Sequence, residues 1–249
     1  MSRWPLWLEV LADLAKLAFF TYGAWRLLGA YARRRQPGWA AQLTRRRLSV
    51  LGALVLAMTA IKLVEDVLSQ ESGPVDTALL WFVRGLVPPA LNGFFSVLTQ
   101  SGAATVLLPA TLAGVVALAL AKRPRETWLL AATMLSATLL IYLLKALVMR
   151  ERPALWATQW YWGSSFPSGH TLASAAFATA AALCVARVWP GGARAAVAVA
   201  LLWTGLVALS RLVLGVHWPS DVLAALCLGV FIALSFSLVF DAGDTRSAR

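Results

Sequence analysis

Only two histidines and two cysteines occur in the 249 residues, which leaves a zinc site little to build on. Cys184 and Cys227 both sit inside apolar runs, so neither reads as a disulfide partner or a metal ligand. Acidic residues are also few, 11 against 22 Lys and Arg, for a formal net charge of +11. That excess invites a nucleic-acid reading. The basic residues, however, fall in short clusters between apolar runs, the pattern the positive-inside rule produces, so no nucleic-acid partner is expected. An ordinary soluble domain is excluded as well, because 60% of the residues are hydrophobic and the mean hydropathy is +0.72. The length suits one compact bundle and leaves no second domain of useful size.

Acidic residues interrupt the N-terminal stretch where a continuous apolar core would be needed, so it does not read as a cleavable signal peptide. Residues 1–31 open with Trp4 and Trp7, and Glu9, Asp13 and Lys16 share one helical face. This favours a helix lying in the membrane interface over an additional span. Arg33, Arg34 and Arg35, then Arg45, Arg46 and Arg47, flank a short polar loop and mark the cytoplasmic side. Residues 1–47 are therefore expected to form an interfacial segment with a basic loop, residues 48–240 a six-span domain, and residues 241–249 a cytoplasmic tail. The fold class expected is all-α, a polytopic membrane bundle.

The apolar runs place spans at about residues 48–68, 103–121, 127–144, 168–187, 195–214 and 219–240. Lys62 and Asp66 near the end of the first span make an i,i+4 pair that satisfies itself. Residues 69–101, with Asp76, Arg84 and Pro88-Pro89, read as short amphipathic helices on the outer surface. Trp156, Trp160, Tyr161, Trp162 and Phe166 crowd one loop, a density that marks headgroup level. With this topology thirteen of the 22 Lys and Arg fall inside, the tail's Arg246 and Arg249 among them. Only Arg84, Lys145, Arg150, Arg152 and Arg211 fall outside, where both histidines also lie, so the unusual polar residues converge on one membrane face.

Three stretches carry that convergence. In the last, Asp221 follows His217 by four residues, and Pro219 suits the first turn of a new helix. The carboxylate can then turn back onto one imidazole nitrogen and leave the other outward as a base or nucleophile. Arg211 precedes the histidine by six residues and can meet an anion at the same place. Ionisable groups at membrane depth are expensive and so are functional candidates; the plainer reading is a His and an Asp at an interface with no chemistry. In the first stretch Lys145 and Arg152 are seven residues apart, close to two turns, and face one way if the helix continues to Pro153. A juxtamembrane basic cluster is the alternative there. In the middle stretch Ser168 suits a helix N-cap, Gly169 permits close approach to its backbone, and His170 stands in the first turn. Taken alone, Pro167-Ser168-Gly169-His170 reads equally well as simple capping.

Taken together, K-x-x-x-x-x-x-R-P, then P-S-G-H, then S-R-x-x-x-x-x-H-x-x-x-D resembles the signature of the type 2 phosphatidic acid phosphatase superfamily, with every defining position filled between residues 145 and 221. The resemblance implies that His217 attacks phosphorus to form a phosphohistidine, with Asp221 orienting it. His170 would protonate the leaving oxygen and then activate water. Lys145, Arg152 and Arg211, with Ser168 and the Gly169 amide, would hold the phosphoryl oxygens. It implies no metal and no cofactor, and a lipid phosphate or diphosphate as substrate: undecaprenyl diphosphate, phosphatidic acid or phosphatidylglycerophosphate. The site is expected on the outer, periplasmic face of a bacterial inner membrane. Three cations and a helix N-terminus can stabilise a transferring phosphoryl group unaided.

Rival classes differ in what they require. A vanadate-dependent haloperoxidase shares the motif set but is soluble. An intramembrane serine protease would have no use for clustered cations. A non-enzymatic anion channel or lipid-binding protein would also place charges within spans. A lipid phosphotransferase would use the same phosphohistidine with an alcohol as acceptor. The oligomeric state is not legible in the sequence.

Overall fold

The computed structural model describes residues 6–35, 37–158 and 163–247. Of the residues singled out above, Trp4, Trp160, Tyr161, Trp162 and Arg249 lie outside these, as do the side chains of Trp7, Glu9, Arg35 and Arg246. All regular structure among the described residues is helical: α1 (Leu6–Arg35), α2 (Pro37–Arg45), α3 (Arg47–Leu68), α4 (Gly73–Leu86), α5 (Asn92–Gln100), α6 (Ala104–Leu120), α7 (Pro124–Val148), α8 (Gly169–Val188), α9 (Ala193–Val213) and α10 (Pro219–Ser247).

Among the described residues six stretches are long and apolar enough to cross a bilayer: α3, Pro89–Leu120 containing α5 and α6, α7, α8, Pro190–Val213 containing α9, and α10 as far as Asp241. In lipid every backbone polar group must be satisfied within its own segment, which is why the apolar runs are helices. The surface agrees with that solvent. Leu108, Leu112 and Leu120 of α6 are exposed, a pattern costly in water and ordinary against acyl chains. The chain is an integral membrane protein.

The core forms around α8, the most enclosed of the spans. Its Leu172, Ala176 and Ala180 pack against Ala225, Ile232 and Ala233 of α10 and against Leu130 and Met134 of α7. Small side chains let membrane helices approach closely, and Gly229 of α10 needs that closeness. A Cβ built there would lie 2.6 Å from the Leu172 carbonyl oxygen and 2.9 Å from the Ala176 nitrogen. At the far end of both helices Asp241 pairs with Arg187 at 2.9 Å and with Arg46 at 2.7 Å, fastening α10 to α8 and to the start of α3. The expected Lys62–Asp66 pair forms at 2.5 Å, and Lys16 pairs with Asp13 at 3.0 Å.

Three local expectations are corrected. The two arginine triplets do not flank a polar loop: α1 runs to Arg35, and α2 occupies Pro37–Arg45 with Pro37 opening it. The third span also does not carry Lys145 and Arg152 on one face. α7 stops at Val148, where Met149 takes a left-handed conformation (φ 47°) as its C-cap. Residues 150–158 therefore leave the helix as a loop, and Arg152 is placed by that loop. At the other end, α10 continues past Phe240 to Ser247.

Candidate active site

The loop after α7 folds back on the segment before α8. The Ser165 N–H donates to the Arg150 carbonyl at 2.8 Å, the Arg150 N–H donates to Ser164 Oγ at 3.0 Å, and Ser165 Oγ donates to the Glu151 carbonyl at 3.0 Å. This pairing carries Arg150 and Arg152 over the starts of α8 and α10. Lys145 Nζ donates to the Ser164 carbonyl, and Arg152 Nη2 reaches the same oxygen at 3.4 Å. The loop thus brings together the two cations that no shared helix face could.

The other half is built on residues 214–221. Gly215 has φ +66°, a conformation that favours glycine, and a Cβ there would sit 2.6 Å from the Trp156 ring. The chain then enters α10 through Pro219, and Asp221 lies in its first turn, where the helix dipole favours a carboxylate. His217 is 2% exposed and Asp221 fully buried. Asp221 Oδ2 accepts the Trp218 N–H at 2.9 Å and faces His217 Nδ1 at 3.5 Å, a long contact that orients more than it bonds. On the other side of the ring, Arg152 Nη1 stands 3.3 Å from Nε2 while donating to the Val216 carbonyl at 2.8 Å. A guanidinium has no acceptor, so Nε2 must carry the lone pair and Nδ1 the proton. Burial pushes the His217 imidazole down to about 4, opposed by Asp221 and reinforced by the charges of Arg211 and Arg152. The ring is therefore neutral near pH 7, with its lone pair on Nε2 facing Arg152.

The remaining expected residues gather around this ring. Arg211, 1% exposed, is held from behind by Thr99 of α5, whose hydroxyl accepts Nη1 at 2.7 Å. Its carbonyl accepts the Val216 N–H at 3.2 Å, which ties it to the histidine loop. Lys145, Arg152, Arg211 and His217 all lie within electrostatic range of His170 in the first turn of α8. Gly169 opens that helix and Ser168 occupies the N-cap position, but the Ser168 hydroxyl bonds Thr171 Oγ1 at 2.9 Å and caps no amide. The Ser168 N–H instead donates to the Asp221 carbonyl at 3.3 Å, joining the starts of α8 and α10. All eight residues expected from the sequence thus lie at one end of the bundle. A cavity of about 440 Å³ opens beside them between the end of α3, the start of α4 and Arg150, with Trp218 on its wall.

Sequence reasoning missed a second layer. Arg150 Nη1 donates to Asp221 Oδ1 at 2.6 Å and to Ser220 Oγ at 2.8 Å, and Nη2 donates to Asp76 Oδ2 at 2.6 Å and to Ser72 Oγ at 3.0 Å. The sequence places Arg150 among the outer cations but does not show which groups it meets. The available signal was Asp76, the single acidic residue between Glu71 and Glu126 and hence a poor candidate for a solvated acidic face. Among the described residues, no group of three or more His, Cys, Asp or Glu is placed to hold a metal ion.

Residues 126–243 match the family model described as the PAP2 superfamily. Phosphatidylglycerophosphatase B of Escherichia coli (strain K12) is 43% identical over 63 residues, 25% of this chain and 24% of that protein. The putative undecaprenyl-diphosphatase YbjG of the same organism is 40% identical over 78 residues, 31% of this chain and 36% of that protein. The matched stretches thus span about a quarter to a third of these relatives. Among solved structures, the first transmembrane PAP2 type phosphatidylglycerolphosphate phosphatase from Bacillus subtilis superposes with a TM-score of 0.69 at 22% identity, covering 79% of this chain and 97% of that one. That likeness establishes the fold. The three motif stretches and the loop that draws them together all fall inside the matched segment, a little under half of the chain, and over it the chain is similar to the PAP2 superfamily.

Proposed function

We propose that this protein is a membrane phosphatase that removes phosphate from a lipid phosphate or lipid diphosphate through a phosphohistidine on His217. One observation carries the reading: a buried neutral imidazole presents Nε2 toward Arg152 while Asp221 holds its other face. In the first step the Nε2 lone pair attacks phosphorus, the bond to the lipid oxygen breaks, and His170 gives that oxygen a proton. In the second step His170 takes a proton from water, whose oxygen attacks the phosphohistidine and releases inorganic phosphate. Lys145, Arg152, Arg211, Ser168 and the Gly169 amide hold the phosphoryl oxygens, whose charge must be stabilised throughout transfer.

The relatives' names support a lipid substrate class, with phosphatidylglycerophosphate and undecaprenyl diphosphate as first candidates, and the motif resemblance adds phosphatidic acid as a third. The arginine distribution supports a site on the periplasmic face of a bacterial inner membrane, with residues 48–240 as the phosphatase domain. α1 is then an interfacial helix and residues 241–249 a cytoplasmic tail. The test is phosphate release from these three lipids in proteoliposomes, with excess EDTA in one arm and orthovanadate in another. Release that survives EDTA and is blocked by vanadate supports the reading. Release lost on chelation and restored by magnesium overturns the metal-free mechanism. Phosphate transferred to an added alcohol in preference to water reassigns the protein as a phosphotransferase.

A further inference from the structure

The buried carboxylate of Asp76 lies in α4, a helix outside all three motif stretches, yet its bonds lead to the histidine. Asp76 is 2% exposed. Its Oδ1 accepts the Ser220 backbone N–H at 2.8 Å, and its Oδ2 accepts Ser220 Oγ at 2.6 Å. It therefore takes up one of the free N–H groups at the start of α10, from a helix 144 residues away in sequence. Oδ2 also accepts one nitrogen of Arg150 at 2.6 Å, and the other terminal nitrogen of the same guanidinium donates to Asp221 Oδ1 at 2.6 Å. Because the guanidinium is a rigid plane, holding one side of the fork sets the other. Asp221 Oδ1 is thereby occupied, and Oδ2 is left to Trp218 and His217.

α4 reaches the same loop a second time. Its Trp81 packs on Trp156 with ring centroids 5.2 Å apart, Arg84 stands 5.1 Å over the Trp156 ring, and Trp156 covers Gly215. Both ends of residues 215–221 are thus braced by one helix.

We propose that Asp76 is a positioning residue for the His217–Asp221 pair, acting through Arg150 and through the first turn of α10. The proposal rests on the phosphatase reading for its effect on turnover, but its structural half is measurable without any substrate. Asp76→Asn keeps the shape of the side chain, removes its charge and turns one acceptor into a donor facing either Arg150 or Ser220.

The test uses the full chain in nanodiscs, with Asp76→Asn, Arg150→Lys and the double variant. Partners that orient metal-bound histidines typically contribute about 10- to 100-fold, and by analogy Asp76→Asn should lower kcat by about that factor. KM should stay within about twofold, because the cations that bind phosphate keep their places. Amide exchange should quicken in residues 214–222 and stay unchanged in the middle of α8. In the double variant the two losses should fall well short of multiplying, since both residues act along one chain of contacts. A folded Asp76→Asn protein with unchanged kcat, or losses that multiply, would overturn the proposal. If Asp76→Asn fails to fold, Arg150→Lys decides alone: a kcat loss with KM held supports the proposal, and an unchanged kcat overturns it. Should the wild type release phosphate from no lipid, the functional reading fails, while exchange at 214–222 still decides whether Asp76 holds the loop.

Discussion

Replacing Asp221 by asparagine preserves shape while removing a charge and an acceptor, and the surroundings leave the new amide no good orientation. Oδ1 accepts Arg150 at 2.6 Å, whereas Oδ2 accepts the Trp218 N–H at 2.9 Å and faces His217 Nδ1 at 3.5 Å. With the amide oxygen toward Arg150, the NH2 group meets the Trp218 N–H donor to donor. It then donates to Nδ1, which moves the imidazole proton to Nε2 and removes the attacking lone pair. With the amide flipped, its NH2 points at a guanidinium that can only donate. Either way a buried donor is left unsatisfied, at about 1–3 kcal/mol of stability. A wrong histidine tautomer costs about 10⁴-fold in kcat in the serine-protease triad. The contact here is longer, so a fall of about 10²–10⁴-fold is expected. Because the defect lies in the first step, quench-flow with a radiolabelled lipid phosphate should show the phosphoenzyme forming more slowly by the same factor as steady-state release. An Asp221→Asn protein forming phosphoenzyme within about threefold of the wild-type rate would refute the tautomer argument.

Other perturbations follow from the same geometry. With an activated aryl phosphate, whose leaving group needs little protonation, His170→Ala should still phosphorylate and should accumulate an acid-labile phosphohistidine, whereas His217→Ala should form none. An adduct mapped to His170 would exchange the two roles. Gly229→Ala should destabilise the protein by about 1–3 kcal/mol, because the new methyl meets the backbone of α8 at Leu172 and Ala176; an unchanged melting temperature in detergent would contradict this packing. Acidification should weaken the fold through His217. The unfolded imidazole takes its proton near 6.5 and the folded one only near 4, so the unfolded chain binds more protons in between and stability drops as pH falls through that window, by up to about 3 kcal/mol. Thermal melts of wild type and His217→Asn from pH 7 to 4 check the sign: the wild type should lose more stability than the variant, and parallel curves would rule it out.

The bundle was legible in the sequence because span length and apolarity are local properties, written in runs such as Leu48–Leu68 and Ala195–Leu214. The His217–Asp221 pair was legible for the same reason, since a four-residue spacing opening on Pro219 fixes its geometry within one turn. What the sequence by itself determined is therefore the fold class, the spans and the identities of the expected site residues. The sharing of work among the arginines was decided by tertiary structure alone. Met149 ends α7 early, so Arg152 reaches His217 from a loop and Arg150 turns to Asp221 and Asp76. Thr99 meets Arg211 across 112 residues, and Asp76 meets Ser220 across 144. Periodicity reports which face of a helix is apolar but not which helix it faces. Those partners follow from how closely α8 and α10 approach at Gly229 and how α4 lies over the bundle end. Asp76 stands out in the sequence as an isolated acidic residue, but only the fold shows that it is buried against a guanidinium.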